Sequence, residues 1–437
     1  MSYQPTDIVE VRAWNQLVGA LGRDPDTGAY VFAYAPEWIA GGVELAPLMM
    51  PLRPEPYSFP DLPPRTFYGL PALLADALPD AFGNALVNAW MAEHGVAVTS
   101  ISPLDRLSYA ADRALGALEF RPQARDADAE PSTAVALADL VQAARLTVRG
   151  ESSTGEAAHA ALQQLIQVGT SAGGARAKVV VSFNPATFQV RSAYAPAEPG
   201  FEQWLIKLDG VSSTGLDGHG DGLGDSAPNG RIEFAYAQMA ADAGLTMSPS
   251  LLLAEGPRRH FMTQRFDRTA DDGRLHLQSL CALAHLDFNL TGTHSYDQLF
   301  QTVSSLGLGL DALRQTYRRM VFNVAGANHD DHTKNFGFLA TPDGTWSLAP
   351  AFDITHAYRA DSEWTSRHLL SVNGRFEGIT LDDLYAVAER HRVPAYRRVT
   401  AEVLSAVDSW PAHAGAVEVP DEVTTSIAAD LDHFRLR

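Results

Sequence analysis

Cysteine is almost missing from this chain of 437 residues: Cys281 stands alone, which excludes an internal disulfide and fits a reducing compartment. It sits in the apolar run "LCALAHL", the setting of a buried structural thiol. Also lacking is any apolar stretch near the ~20 residues of a membrane span. The N-terminus "MSYQPTDIVEVRAW" carries neither a basic nor an apolar leader. A soluble cytoplasmic protein with no membrane contact is therefore expected. Basic charge is scarce, with 33 Lys and Arg against 52 Asp and Glu, a net charge of −19. That balance argues against a chain that wraps nucleic acid unaided, because phosphate binding draws on basic surface, though it leaves room for a local basic cleft; it suits a basic partner. What remains is 46% apolar and 19% charged, the make-up of a folded protein long enough for two or three domains.

Along the chain, "IVEVRAW" and "YVFAY" alternate as short strands. A Pro-rich passage leads into "LPALLADALPDAFGNALVNAWMAEHG", whose apolar spacing of three and four residues predicts helix punctuated by Pro79 and closed by Gly95. "LGALEFRP" closes this part as a strand. The polar run from 123 to 133 predicts a linker, and helices are expected near 134–146 and 154–167. Strands follow in "AKVVVSF", "FQVRSAY" and "QWLIKL", then a hairpin in "SLLLAEGPRRHFMTQRF" turning at Gly256-Pro257. From about 276 onward helix dominates. The expected division is a small mixed domain over 1–125, a linker and connecting helix over 126–150, a β-rich lobe over 151–268 and a helical lobe over 269–437.

Four features recur in an order that matters more than any one of them. "GTSAGGARAK" (169–178) precedes a strand, and its glycines would let backbone N–H groups approach phosphate oxygens. It matches neither a Walker A loop nor a GxGxxG fingerprint, and a tight turn would account for it equally well. Lys207 follows on a strand, sharing a face with Leu205 while Trp204 and Ile206 take the other. In kinases a strand lysine after the Gly-rich loop pairs with ATP phosphates. Asp330 and Asn335, four residues between them, match the D-x-x-x-x-N of a kinase catalytic loop, where the Asp takes the hydroxyl proton and the Asn holds Mg²⁺. Asp353 lies 18 residues further on, where a second oxygen ligand for the metal is needed.

With "GLPALLADALPDAFGN", "RALGALEF", "LIKL", "RFDR", "NHDDHTKNFGF" and "LAPAFDI", the chain resembles the HipA family, the serine/threonine kinase toxins of HipBA toxin–antitoxin modules. The resemblance implies an α+β fold: a bilobed protein-kinase-like core, with a β-rich small lobe and helical large lobe, behind a small mixed α/β N-terminal domain. It implies Asp330 as catalytic base, Asn335 and Asp353 as Mg²⁺ ligands, and Lys207 as the ATP-phosphate lysine. Gly173, Gly174, Ala175, Arg176, Ala177 and Lys178 would cover the phosphates, and the backbone of Gln264, Arg265 and Phe266 would hold the adenine edge. His332 stands two residues after Asp330, where many serine/threonine kinases carry a lysine near the γ-phosphate, and is expected to help bind that phosphate and act in catalysis. Lys334 is expected to contact the nucleotide, and Ser171 corresponds to the family's autophosphorylated serine. A charge of about −1.5 to −2 added there should expel the loop from the site. The implied partners are a HipB-like DNA-binding antitoxin, DNA only through that antitoxin, and a translation component such as an aminoacyl-tRNA synthetase as substrate.

The chain departs from better-known kinase patterns in places. Asp330 follows Asn328-His329 rather than His-Arg, Asp353 precedes Ile354-Thr355 with no glycine, and position 264 is Gln where Glu is common. Two other functions compete: a metal-dependent phosphohydrolase of the HD type built on His329, Asp330, Asp331 and His332 with His285 and His294, and a non-catalytic corepressor bound to an antitoxin. His329 and Asp331 are expected as hydrogen-bonded supports of the loop. The loop with Asp217, Asp221 and Asp225 lacks the closing Glu of an EF-hand and predicts no Ca²⁺ site.

Overall fold

Four antiparallel strands open the structure: β1 (Ile8–Ala13), β2 (Gln16–Arg23), β3 (Tyr30–Tyr34) and β4 (Leu118–Arg121), in the order β3-β2-β1-β4. Val9, Val11 and Ala13 point to one face and are buried, the period of two that a half-covered strand requires. The computed structural model describes residues 5–123, 137–148, 165, 176–193, 198–212, 228–271 and 273–436. The Gly-rich stretch 169–175 with Ser171, Gly173, Gly174 and Ala175, most of the helix expected at 154–167, and the loop holding Asp217, Asp221 and Asp225 lie outside the described residues.

The small lobe is a second antiparallel sheet of β5 (Arg176–Asn184), β6 (Gln189–Ser192), β7 (Glu202–Ser212), β8 (Ser250–Glu255) and β9 (Arg258–Gln264), ordered β6-β5-β7-β9-β8. The β8–β9 hairpin turns at Gly256, which takes a positive φ of 54°. Trp204 and Ile206 enter the lobe's core, and the alternation turns Leu205 and Lys207 to the opposite side. The core is completed from outside the lobe. Phe82, Leu86, Val87, Trp90 and Met91 of the helix Ala81–Glu93 pack against Val179, Val181 and Ile206. Sequence alone assigns that helix to the N-terminal domain; its apolar face belongs to the small lobe.

The helix Asn229–Asp242 lies between the lobes. Its Ile232, Tyr236 and Met239 join the large-lobe core, while its start presses against β9. A Cβ built on Gly230 would stand 1.9 Å from the Arg259 carbonyl oxygen, so only glycine allows this approach. Gly230→Ala is expected to destabilise the fold by about 1–3 kcal/mol, read as a lower denaturation midpoint in urea.

The large lobe gathers the helices Tyr296–Ser305, Gly309–Ala325, Leu381–Arg390, Tyr396–Val407 and Asp421–His433 around Tyr236, Tyr296, Tyr317, Phe322 and Trp410. Helix starts are set by side chains: Ser295 and Gln298 form a reciprocal capping box, as do Thr380 and Asp383. Short strands β10 (His276–Ser279), β11 (His294–Ser295), β12 (Gly337–Ala340), β13 (Trp346–Leu348) and β14 (Leu370–Ser371) make an antiparallel β10-β12-β13 sheet and a parallel β11–β14 pair. These carry the loops that face the small lobe. Among the described residues, no helix is long and apolar enough to cross a membrane.

Candidate active site

Between the lobes lies a cleft of about 1350 Å³, counting space open to solvent. Lys207, on the middle strand of the small lobe, reaches into it and meets two carboxylates. Its Nζ lies 2.5 Å from Glu233 Oε1 and is also hydrogen-bonded to Asp353 Oδ1. Glu233 comes from the helix Asn229–Asp242 and its side chain is 2% exposed; Asp353 comes from the loop after β13. Three elements from two lobes thus converge on one ammonium group. Burial alone would raise the Asp353 pKa, but Lys207, and Lys178 beyond it, outweigh that and hold the carboxyl well below its ordinary range. Asp353 also adopts a positive φ of 52°, uncommon for a residue other than glycine and typical of places where a side chain is aimed by its surroundings.

The catalytic-loop candidates follow the helix Gly309–Ala325. His329 and Asp331 point inward and Asp330 outward. His329 is buried, its Nδ1 3.1 Å from the Thr365 carbonyl, and burial pushes its pKa down to about 2. Asp331 accepts from Tyr296 Oη at 2.8 Å, His368 Nδ1 at 2.9 Å and the Leu369 N–H at 2.7 Å. Both are therefore supports of the loop. Asp330 keeps 38% of its side chain exposed and stands beside the cleft rather than in its wall. Its pKa is nonetheless raised, by the surrounding protein first and by Asp353 and Asp331 in lesser degree, against His332 and the Trp364 indole, which donates to Oδ1 at 2.7 Å. A raised pKa brings a carboxylate closer to the range useful for taking a proton.

His332 caps the short turn Thr333–Asn335, its Nδ1 accepting the Lys334 N–H at 3.2 Å. That contact leaves the ring proton on Nε2, 3.7 Å from Asp330 Oδ1. Asn335 donates its Nδ2 to the Asp330 carbonyl at 2.7 Å, so its amide oxygen is left as the acceptor. With the Asp353 carboxylate in the same cleft wall, this supplies two hard oxygen donors, the kind a Mg²⁺ bridging phosphates takes while keeping water ligands. The residues fit that ion. Lys334 lines the cleft and stacks its ammonium over Phe288, 4.9 Å from the ring centre.

At the connection between lobes, Gln264, Arg265 and Phe266 all line the cleft. Two of the three backbone N–H groups are already engaged: Gln264 donates to Pro249 at 2.9 Å and Arg265 to Gln203 at 2.9 Å. Opposite Gln264, Pro249 has no N–H to return, which leaves the Gln264 carbonyl without a donor from that strand. The edge open to a planar ring therefore narrows to the Gln264 carbonyl and the Phe266 N–H. The Arg265 guanidinium turns back to Asp267, donating Nε at 2.9 Å and Nη2 at 2.6 Å; Arg268 adds a bond to Asp267 at 2.9 Å. Asp267 also accepts the Gly116 N–H at 2.7 Å, tying the connection to the N-terminal domain.

The N-terminal domain forms part of the cleft wall through Leu73, Asp76, Ala77, Leu115 and Leu118. Its Asp80, the cap of the helix Ala81–Glu93, lies 3.7 Å from Lys178 Nζ, and both side chains are buried. Burial raises the Asp80 carboxyl to about 7, against the pull of Lys178 and the Gly83 N–H. Lys178 lines the cleft, Ala177 faces the small-lobe core, and Arg176 begins β5.

Residues 170–411, more than half of the chain, match the HipA-like C-terminal domain, and residues 9–121 match the HipA N-terminal domain. The chain belongs to the HipA family. A solved HipA similar to it comes from the Shewanella oneidensis MR-1 toxin–antitoxin complex of HipA, HipB and operator DNA. The likeness has 16% identity and a TM-score of 0.61, over 98% of this chain and 95% of that one. This extends the common fold across both lobes and the N-terminal domain, and the kinase-like bilobed core holds. A further similar structure, the Helicobacter pylori proinflammatory kinase CtkA, has 10% identity and a TM-score of 0.33, over 59% of this chain and 93% of that one; the likeness is too slight to argue from. No curated protein matches the chain in sequence.

For this HipA-family chain, three neighbours of the site escape sequence reasoning. Glu233 had a signal: it begins a stripe with Tyr236, Ala237 and Ala240, so a lone carboxylate sits on an otherwise apolar helix face. Asp80, which caps the helix Ala81–Glu93, has no spacing that would mark it as a lysine's neighbour. Trp364 had no signal, since "RADSEWTSRH" follows neither strand nor helix period. The phosphohydrolase alternative finds no gathered ligand set: among the described residues no three His, Cys, Asp or Glu side chains gather as a metal site.

Glu233→Gln removes a charge from the Lys207 pair while keeping its shape. Losing a charge-assisted hydrogen bond costs about 1.5–3 kcal/mol, so the phosphoryl transfer proposed below is expected to fall roughly ten- to a hundredfold. Initial rates with labelled ATP would check this; an unchanged rate would show that the pair plays no part.

Proposed function

We propose that the chain is an ATP- and Mg²⁺-dependent serine/threonine protein kinase acting as the toxin of a toxin–antitoxin pair. The observation that carries the proposal is the convergence of Lys207, Glu233 and Asp353 in the cleft that Asn335 also lines, with Asp330 beside it. A Lys–Glu ion pair and a metal-holding Asp, both in place, are what phosphoryl transfer in kinases requires. In this proposal Lys207 orients the ATP phosphates, and the Gln264 carbonyl and Phe266 N–H hold the adenine edge. Asn335 and Asp353 hold Mg²⁺, which neutralises charge on the phosphates. Asp330 accepts the proton of the incoming hydroxyl, and the His332 N–H on Nε2 faces the transferring oxygens.

The Gly-rich stretch through Lys178 would cover the phosphates, with Ser171 as self-acceptor. Membership of the family supports a small DNA-binding antitoxin of the HipB type as partner, as does the acidic net charge of −19. An aminoacyl-tRNA synthetase is the proposed substrate class, and the cytoplasm the proposed location. The test is incubation of the purified chain with γ-labelled ATP and Mg²⁺, followed by mapping of the label. Label on Ser171, lost in Asp330→Ala, supports the whole scheme. Phosphate release without a labelled protein would point instead to a hydrolase, and neither product to a bare binding module.

A further inference from the structure

We propose that Trp364 is a positioning residue for Asp330: its indole N–H fixes one carboxylate oxygen so that the other faces the acceptor hydroxyl. The proposal rests on Asp330 serving as the base. The Trp364 Nε1 to Asp330 Oδ1 distance is 2.7 Å, that of a hydrogen bond strengthened by charge. Indole is a donor only, so it can never take the proton that the base must accept. Among the described residues Oδ2 receives no hydrogen bond, and the side chain is 38% exposed, so the second oxygen is the one open to a substrate. His332 Nε2, 3.7 Å from Oδ1, is too distant to hold the group in its place.

Trp364 is itself held by its surroundings. Its ring lies 6.4 Å from Phe288, edge to face, and 5.9 Å from His332. The segment that carries it is pinned to the catalytic loop on its far side, His329 to the Thr365 carbonyl at 3.1 Å and Asp331 to the Leu369 N–H at 2.7 Å. Three consecutive loop residues, His329, Asp330 and Asp331, are thus each tied to residues 364–369. Two of the ties are buried supports, and the third ends on the group that does the chemistry. Trp364 is not part of the cleft wall, so its effect should fall on transfer and not on nucleotide binding.

The experiment compares self-labelling from γ-labelled ATP by the full chain, Trp364→Phe, Asp330→Ala and the double variant, with thermal midpoints recorded for each. Phenylalanine keeps the ring contacts and deletes the donor. The expected result is a maximal rate lowered roughly ten- to a hundredfold, with KM for ATP and thermal midpoint near those of the parent. In the Asp330→Ala background, Trp364→Phe should cost nothing more, which a merely structural tryptophan would not reproduce. Trp364→His, whose ring retains an N–H, is expected to recover part of the rate. A Trp364→Phe rate equal to or above the parent's, beside an inactive Asp330→Ala, overturns this proposal alone. So does a further loss in the double variant, or a histidine variant no faster than phenylalanine. An Asp330→Ala variant as active as the parent overturns the base assignment and this proposal with it, as does a parent chain that labels no residue.

Discussion

Asp330→Ala is expected to lower phosphoryl transfer by roughly 10²–10⁴-fold, the usual contribution of a positioned general base. ATP affinity and folding should stay near those of the parent. The contrast with its neighbours makes the prediction sharp. Asp331 accepts three close hydrogen bonds and is buried, so its removal would undo the loop before any chemistry could be measured. Among the described residues Asp330 takes a single side-chain hydrogen bond, from Trp364, and does not line the cleft where the nucleotide is proposed to sit. Labelling rates and calorimetric titration with ATP, run on one preparation, separate transfer from binding. A variant that binds ATP and still turns over at the parent's rate would remove Asp330 from the mechanism.

Asp267→Ala should have the largest effect on stability, about 3–5 kcal/mol, the loss expected when one partner of a buried ion pair is deleted. Asp267 receives Arg265, Arg268 and the Gly116 N–H; Asp267 and Arg265 are buried and Arg268 nearly so. Without it two guanidinium groups lose the carboxylate they share. Burial opposes the Asp267 charge, but the two arginines more than offset this and hold its pKa well below the ordinary value. The sign of the pH dependence follows. A carboxylate depressed in the folded state stabilises it fully above the unfolded pKa of about 3.9. That stability is lost as pH falls through the depressed folded value. Urea midpoints measured on both proteins between neutral pH and pH 3 should show the parent far above the variant at neutral pH, with the gap shrinking only below about pH 4. A constant small gap would mean that the arginines find other partners.

Local signals in the sequence were enough for most strands of the N-terminal sheet and for the small-lobe strands, but not for β2 or the short strands β10 to β14. Alternation in "QWLIKL" placed Lys207 opposite Trp204 and Ile206, and it emerges on the cleft side. Gly256-Pro257 marked a hairpin that forms where expected. The spacing of Asp330 and Asn335 survives as a turn in which the asparagine amide holds the aspartate's own carbonyl. Illegible were contacts made across long stretches of chain. Lys207 with Glu233, Asp80 with Lys178 and Trp364 with Asp330 each join elements whose separation no periodicity encodes. The hinge shows a third kind of limit. Which of its backbone groups stay open depends on Pro249, just ahead of β8, and on Gln203 in β7, not on Gln264, Arg265 or Phe266 themselves.

The helix Ala81–Glu93, numbered with the N-terminal domain but seated in the small lobe, makes the two inseparable as parts. A gene fragment starting after residue 125 would encode a small-lobe sheet stripped of Phe82, Leu86, Val87, Trp90 and Met91, and Lys178 without Asp80. Such a fragment would gather into aggregates rather than stand as a minimal kinase. By the same logic, chimaeras between relatives should exchange this helix together with the sheet it covers, so the linker is not a workable crossover.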